Sequence, residues 1–410
     1  MSFSKVSLVL FSIVLMSFKY PINGFFDSGV RIDDFVLVMS VVLFIMSKKK
    51  LYLPKFTIYF LSFVALMFFS AFVSKYNELG VDSLSLILFS FRHLQYMTAI
   101  LLGLLLVGSS LDSLLKLFTA YQLVIVVLQK YGFLGFGTLY NIAHRQVGST
   151  GGPWELAVLI SLPFFYFLYK KEWGYLLVSF FVLYSTSSRV TMISVLSVVL
   201  INEIMVNRFL ISKDKILKWI FCSIGLLILG GYYYYFSFGF SENNIYSRIL
   251  AINDFDFISF SHVDLSGMTR EQFSNIDQGV IKSSFGNASG DISAYSRFSR
   301  WSLALYFAFN YSLFSPLIGL GPAFFGDALD GGYIRVLSTT GFTGLLLYLT
   351  FLFKLHYFFK KNAPLYILSF FYVYCFSCLL IDINYSIKST VVLWVLVGYV
   401  YGTYRMELKK

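Results

Sequence analysis

The sequence predicts an all-α integral membrane protein with about twelve transmembrane helices and one long extracytoplasmic loop. Three observations predict it. Apolar residues make up 58% of the 410 positions and charged residues 13%, against roughly 25% charged in soluble domains. Mean hydropathy is +0.74, and the apolar residues fall in runs close to the roughly 20 residues that cross a bilayer. The basic residues cluster at the ends of those runs, where they orient a membrane protein. A soluble enzyme, a disordered chain and a secreted disulfide scaffold are excluded. The formal charge of +11 therefore points to membrane orientation and not to nucleic acid.

The first run, 3–20, opens with Lys5 and the apolar stretch Val6–Phe18. No small-residue cleavage site follows, so it reads as a retained span and not a signal peptide. Further runs lie at 34–47, 56–74, 84–107, 113–130, 154–169, 173–188, 190–206 and 216–236, then at 332–353, 364–381 and 388–404. Twelve crossings put five basic clusters and both termini on one side: Lys48-Lys49-Lys50 with Lys55, Lys170-Lys171, Arg208 with Lys213, Lys215 and Lys218, Lys360-Lys361, and Lys409-Lys410. That side is read as cytoplasmic. The chain thus divides into helices over 1–236, the loop over 237–331, and helices over 332–410.

On this topology 16 of 21 lysines are cytoplasmic, whereas 8 of 11 arginines lie outside and Arg92 falls within a span. Positive charge alone orients helices, and lysine supplies it. Arginine adds a planar fork of donors that matches phosphate oxygens, so the outer arginines point to an anionic ligand. The 95-residue loop Ser237–Gly331 is too long for a mere connection. Within it Arg300–Asn310 is amphipathic and too short to cross, and a helix lying on or re-entering the membrane is expected there. Cys222, Cys375 and Cys378 all lie in apolar runs, and Cys375-x-x-Cys378 has no charge nearby to activate a thiol.

Four outer segments carry candidate chemistry. His144-Arg145-Gln146-Val147-Gly148-Ser149-Thr150-Gly151-Gly152-Pro153 leads into a span through Trp154 and Glu155, and its backbone N–H groups are of the kind that receive an anion at a helix start. Ser185-Thr186-Ser187-Ser188-Arg189 forms the turn between two spans; an arginine at that depth is expensive unless paired or facing water. Arg297-x-x-Arg300-Trp301 precedes Ser315-Pro316-Leu317-Ile318-Gly319-Leu320-Gly321-Pro322. Asp330-Gly331-Gly332-Tyr333-Ile334-Arg335 opens the tenth span, with Gly341 and Gly344 deeper in it. Arg92-His93 sits about two turns into the fourth span, and His262 is a possible base within the loop.

The order of these short motifs, from about residue 130 to 350, resembles the O-antigen polymerase and O-antigen ligase superfamily of bacterial membrane glycosyltransferases, with a GT-C-like all-helical fold. The ligases carry His and then Asn, Ser or Gln, with nine residues intervening before a Gly-x-x-Gly. Here that spacing lands on Asp330, Gly331, Gly341 and Gly344, so Asp stands in place of His, which favours a polymerase over a ligase. The polymerases' Arg-x10-Gly spacing is not matched by Arg145, Arg189 or Arg297. The resemblance implies a reaction at the outer leaflet of the bacterial inner membrane. Donor and acceptor are both oligosaccharide repeat units linked to undecaprenyl pyrophosphate, and a flippase and a chain-length regulator are possible partners. Arg145, Arg189, Arg297 and Arg335 would hold the pyrophosphate, with Arg92, Arg300 and His262 in support, and Asp330 would be the general base. No metal or other cofactor is required if arginine neutralises the leaving group. The alternatives are a ligase, a metal-assisted transferase using Asp254-x-Asp256 or Asp33-Asp34, and a lipid-linked-oligosaccharide flippase or other transporter.

Overall fold

The computed structural model describes residues 3–18, 32–76, 79, 81–134, 145–206, 271, 275, 292–325 and 329–408. Among the described residues every regular element is a helix: α1 (Phe3–Met16), α2 (Ile32–Met46), α3 (Thr57–Tyr76), α4 (Ser83–Met97), α5 (Ala99–Leu105), α6 (Asp112–Lys130), α7 (Pro153–Lys170), α8 (Trp173–Ser185), α9 (Arg189–Val206), α10 (Ile292–Asn310), α11 (Ser315–Ile318), α12 (Gly332–Asn362), α13 (Leu365–Ser377) and α14 (Ile387–Glu407), with a 3₁₀ turn at Ile383–Tyr385 before the last. Among the described residues four helical stretches are long and apolar enough to cross a membrane: Thr57–Tyr76, Ser83–Leu105, Asp112–Lys130 and Gly332–Asn362. α1, α8 and α13 are shorter and apolar. This is the architecture of a helical membrane protein. The apolar run at 216–236 lies outside the described residues.

Local chemistry sets the helix ends. The Asp82 carboxylate accepts the Ser85 N–H at 2.9 Å and caps α4, while Pro153 at the first turn of α7 follows an extended Gly152. α7 stops where Lys171 turns left-handed (φ 59°), and Pro364 keeps α12 from running into α13.

At the centre stands α14, buried without a break from Ile387 to Gly398. The Trp394 ring sits edge-on to Phe60 at 4.8 Å and stacks on Phe351 at 5.5 Å. Where α14 crosses α5, a Cβ on Gly103 would lie 2.0 Å from the Val395 carbonyl oxygen, and one on Gly398 would lie 2.1 Å from that of Ile100. Backbone meets backbone there, the small-residue contact that holds helices together where lipid supplies no hydrophobic drive.

The amphipathic stretch Arg300–Asn310 is helical, as part of a longer helix than the stretch implied. α10 begins at Ile292 and not Arg300, and it buries Leu303, Ala304 and Phe307 with Leu86, Leu320 and Phe324 in a second core. After α11 the chain docks onto α12 as bare backbone: Leu320 N–H donates to Ser338 O and Gly321 N–H to Thr339 O, both at 3.0 Å. α12 breaks at Gly341 (φ 68°, ψ −171°) to allow this. A Cβ at Gly319 would lie 2.2 Å from the Thr339 carbonyl carbon, and one at Gly341 as close to that of Leu317. Thus glycines of the Pro-x-x-Gly-x-Gly and Gly-x-x-Gly motifs form one crossing.

Candidate functional site

The loop leading into α7 is pinned from below by two glutamines of α6. Gln129 Oε1 accepts the N–H groups of Val147 (3.2 Å) and Gly148 (2.9 Å), and Gln122 Oε1 accepts that of Ser149 (3.1 Å). Thr150 N–H donates to Val147 O, and Gly151 N–H to Glu155 Oε2 at 2.9 Å. The expectation that this loop offers its backbone N–H groups to an anion is therefore corrected: those donors are committed internally. What the loop presents is Arg145. Its Nε donates to Thr186 O at 3.2 Å, and Gln146 N–H donates to Ser185 O, so the loop is tied to the turn that carries Arg189.

Arg189 is exposed at the first residue of α9. Arg297 lies on α10, and its Nη2 reaches Asp330 Oδ2 at 3.4 Å, with the aspartate side chain 43% exposed. Burial, then the charges of Arg189 and Arg297, push the pKa of Arg145 down, and Asp330 pushes it up. Arg189, Arg297 and Asp330, remote from one another in sequence, are thus all within electrostatic reach of Arg145. Of these four described residues three are cations and one is an anion. Arg300, half-buried, follows Arg297 by one turn on α10.

Arg335 is turned away from this group. It is 1% exposed, its Nη1 lies 3.0 Å from Asp382 Oδ2, and its guanidinium covers the Tyr385 ring at 4.2 Å. The Asp382 carboxylate also accepts three successive backbone N–H groups: Leu329 at 2.9 Å, Asp330 at 3.3 Å and Gly331 at 2.8 Å. From the other side, the Trp301 indole N–H donates to Leu329 O (3.0 Å) and Asp330 O (2.9 Å).

Arg92 is half-buried, with its guanidinium 5.7 Å from the Phe89 ring centre and no acid paired with it among the described residues. His93 is buried and edge-on to Tyr385 at 5.0 Å. Asp33 and Asp34 do not share a site. Asp34 accepts Gln95 Nε2 at 2.6 Å, whereas the buried Asp33 accepts Ser17 Oγ at 3.3 Å and lies in the field of Lys388 and Glu155. His144, Asp254, Asp256 and His262 lie outside the described residues. Among the described residues no three metal-ligating side chains gather.

Sequence reasoning missed Asp382 and Lys388. Lys388, fully buried, donates from Nζ to the carbonyls of Ser17 and Ser149, while Glu155 accepts Ser386 Oγ and the Lys388 N–H. The available signal was an acid and a lysine bracketing a turn between two apolar runs, where buried ionisable groups are costly and rarely idle. No protein-family model matches the chain, and no curated protein does.

Proposed function

We propose that this protein is a membrane glycosyltransferase that polymerises surface-polysaccharide repeat units carried on undecaprenyl pyrophosphate, working at the outer leaflet of the bacterial inner membrane. The observation that carries the reading is the gathering of Arg189, Arg297 and Asp330 around Arg145 from four separate segments, with Arg297 paired to Asp330. In this reaction the bond from the donor's anomeric carbon to the pyrophosphate oxygen breaks, and a bond from that carbon to an acceptor hydroxyl oxygen forms. Negative charge grows on the leaving pyrophosphate, and preorganised guanidinium groups stabilise it. Asp330 takes the proton from the acceptor hydroxyl. Arg297 pairs with Asp330 at 3.4 Å, and a bound pyrophosphate would draw it away and leave the carboxylate to act as base.

The decisive test is reconstitution of the full-length protein in liposomes with a synthetic undecaprenyl-pyrophosphate-linked repeat unit. Wild type should produce a ladder of longer glycans. Asp330→Asn should insert normally, retain donor binding and produce none. Arg145→Ala, Arg189→Ala and Arg297→Ala should each reduce donor binding and product. Wild-type chain synthesis by Asp330→Asn sinks the assignment of the base, and a wild-type protein that moves the lipid across the bilayer without joining units sinks the polymerase reading.

A further inference from the structure

The turn that carries Asp330 is held in a conformation that an aspartate seldom adopts by itself. Its φ is +55°, in the left-handed region where a Cβ is disfavoured unless the surroundings hold it. Those surroundings are on both sides of the peptide chain. Three consecutive N–H groups, from Leu329, Asp330 and Gly331, converge at 2.8 to 3.3 Å on one carboxylate, that of Asp382. Successive N–H groups around one anion form a nest, and here a side chain of the same protein fills it. The carbonyls of Leu329 and Asp330 face the other way, onto the Trp301 indole N–H. Trp301 sits one turn beyond Arg297 on α10, so the same helix supplies both the clamp on the turn and the cation that meets the Asp330 side chain.

Asp382 cannot do the chemistry itself. Both of its oxygens are occupied by the nest and by Arg335 Nη1 at 3.0 Å, and it is 8% exposed. Arg335 in turn is fixed over the Tyr385 ring. We infer that Asp382 is a positioning residue for Asp330, with Arg335 as its counter-charge and Trp301 as the opposing clamp, so that the turn aims the Asp330 carboxylate into the three-arginine group. This assigns Arg335 to orientation of the base and not to the pyrophosphate. The inference rests on the polymerase reading above.

The test uses the full-length protein in liposomes with the same lipid-linked repeat unit, and measures kcat, donor KM and thermal unfolding. Asp382→Asn should lower kcat by about a hundredfold, the scale of a small misplacement at a reacting centre. Donor KM should stay within about threefold of wild type, because the arginines that hold the donor are untouched. Asp382→Asn also strands the Arg335 guanidinium, so the paired variant Asp382→Asn with Arg335→Gln separates the two roles. It should regain the unfolding temperature and keep the low kcat. Trp301→Phe, which removes the clamping N–H together with part of the indole that packs under Gly331, should lower kcat with donor KM close to wild type. Recovery of kcat together with stability in the paired variant would show that Asp382 merely holds the fold, and overturns the inference. So does wild-type kcat in Trp301→Phe, which also decides the matter should Asp382→Asn fail to accumulate. A wild-type protein that makes no polymer overturns the reading and this inference with it, whereas an active wild type whose variants keep their kcat overturns this inference alone.

Discussion

Replacing Lys388 by Met tests the buried ionic group behind the site. Lys388 Nζ donates to Ser17 O and, at 3.3 Å, to Ser149 O, and it is the cation nearest in effect to Asp33. Methionine keeps most of the volume and removes all of this. Glu155 retains the Gly151 N–H, Ser386 Oγ and the Lys388 backbone N–H as donors. Among the described residues Asp33 keeps Ser17 Oγ at 3.3 Å as its donor. Removing the cation that balances a buried carboxylate costs about 3–5 kcal/mol, so Lys388→Met should destabilise by about 4 kcal/mol. Asp33→Asn alone should cost about 2 kcal/mol, since it leaves Lys388 its two carbonyls. The double variant should cost about 4 kcal/mol and not about 6, a coupling of about 2 kcal/mol within the range found for contacting residues. Unfolding in mixed detergent micelles, followed by tryptophan fluorescence, measures all three. Losses that add to within about 0.5 kcal/mol would mean that Lys388 and Asp33 do not interact, and the account of this cluster would fall.

Arg145→Lys should lower kcat/KM for polymer synthesis by about ten- to a hundredfold, because a lysine that holds Thr186 O has no second arm for a phosphate; unchanged kcat/KM would show that charge alone suffices. Gly341→Ala should destabilise by about 3 kcal/mol or more, from a positive φ and from overlap with the Leu317 carbonyl. Gly344→Ala, whose nearest neighbour is the movable Thr340 hydroxyl, should cost clearly less, and equal losses in unfolding experiments would refute the crossing. Reporter fusions after Lys50, Lys171, Lys213 and Lys361 should report cytoplasm and one near Gly286 the outside, and a cytoplasmic signal at Gly286 would overturn the topology and the site with it.

What could be read from the chain alone follows from which forces act locally. Apolar runs reveal helices because the bilayer demands length and apolarity residue by residue, and α3, α6, α7 and α9 begin and end within two residues of their runs. Arg145, Arg189, Arg297 and Asp330 were picked out because charge at an outer boundary is conspicuous against an apolar background. Their partners were harder. Lys388 meets Ser17 and Ser149 across 371 and 239 residues, and no periodicity records such a contact. Arg335 carries the same signal as Arg145 in sequence, yet a carboxylate 47 residues later turns it inward. The loop glycines at 148 and 151 look like an anion cradle until Gln129 of α6 and Glu155 of α7 are seen to take their N–H groups.

The placement of α14 has a consequence for how the protein is made. This helix is the hub of the bundle, and its synthesis follows that of every helix it packs against. Until it emerges, α5 has no partner for Gly103, the rings of Phe60 and Phe351 have no Trp394 between them, and Asp33 lacks the ammonium that balances it. The packing around Trp394 and the backbone contact at Gly103 can therefore close only after α14 has been made. A ribosome stalled before α14 should leave a chain that inserts but stays open to protease, and passage of that one helix should convert it to a resistant form.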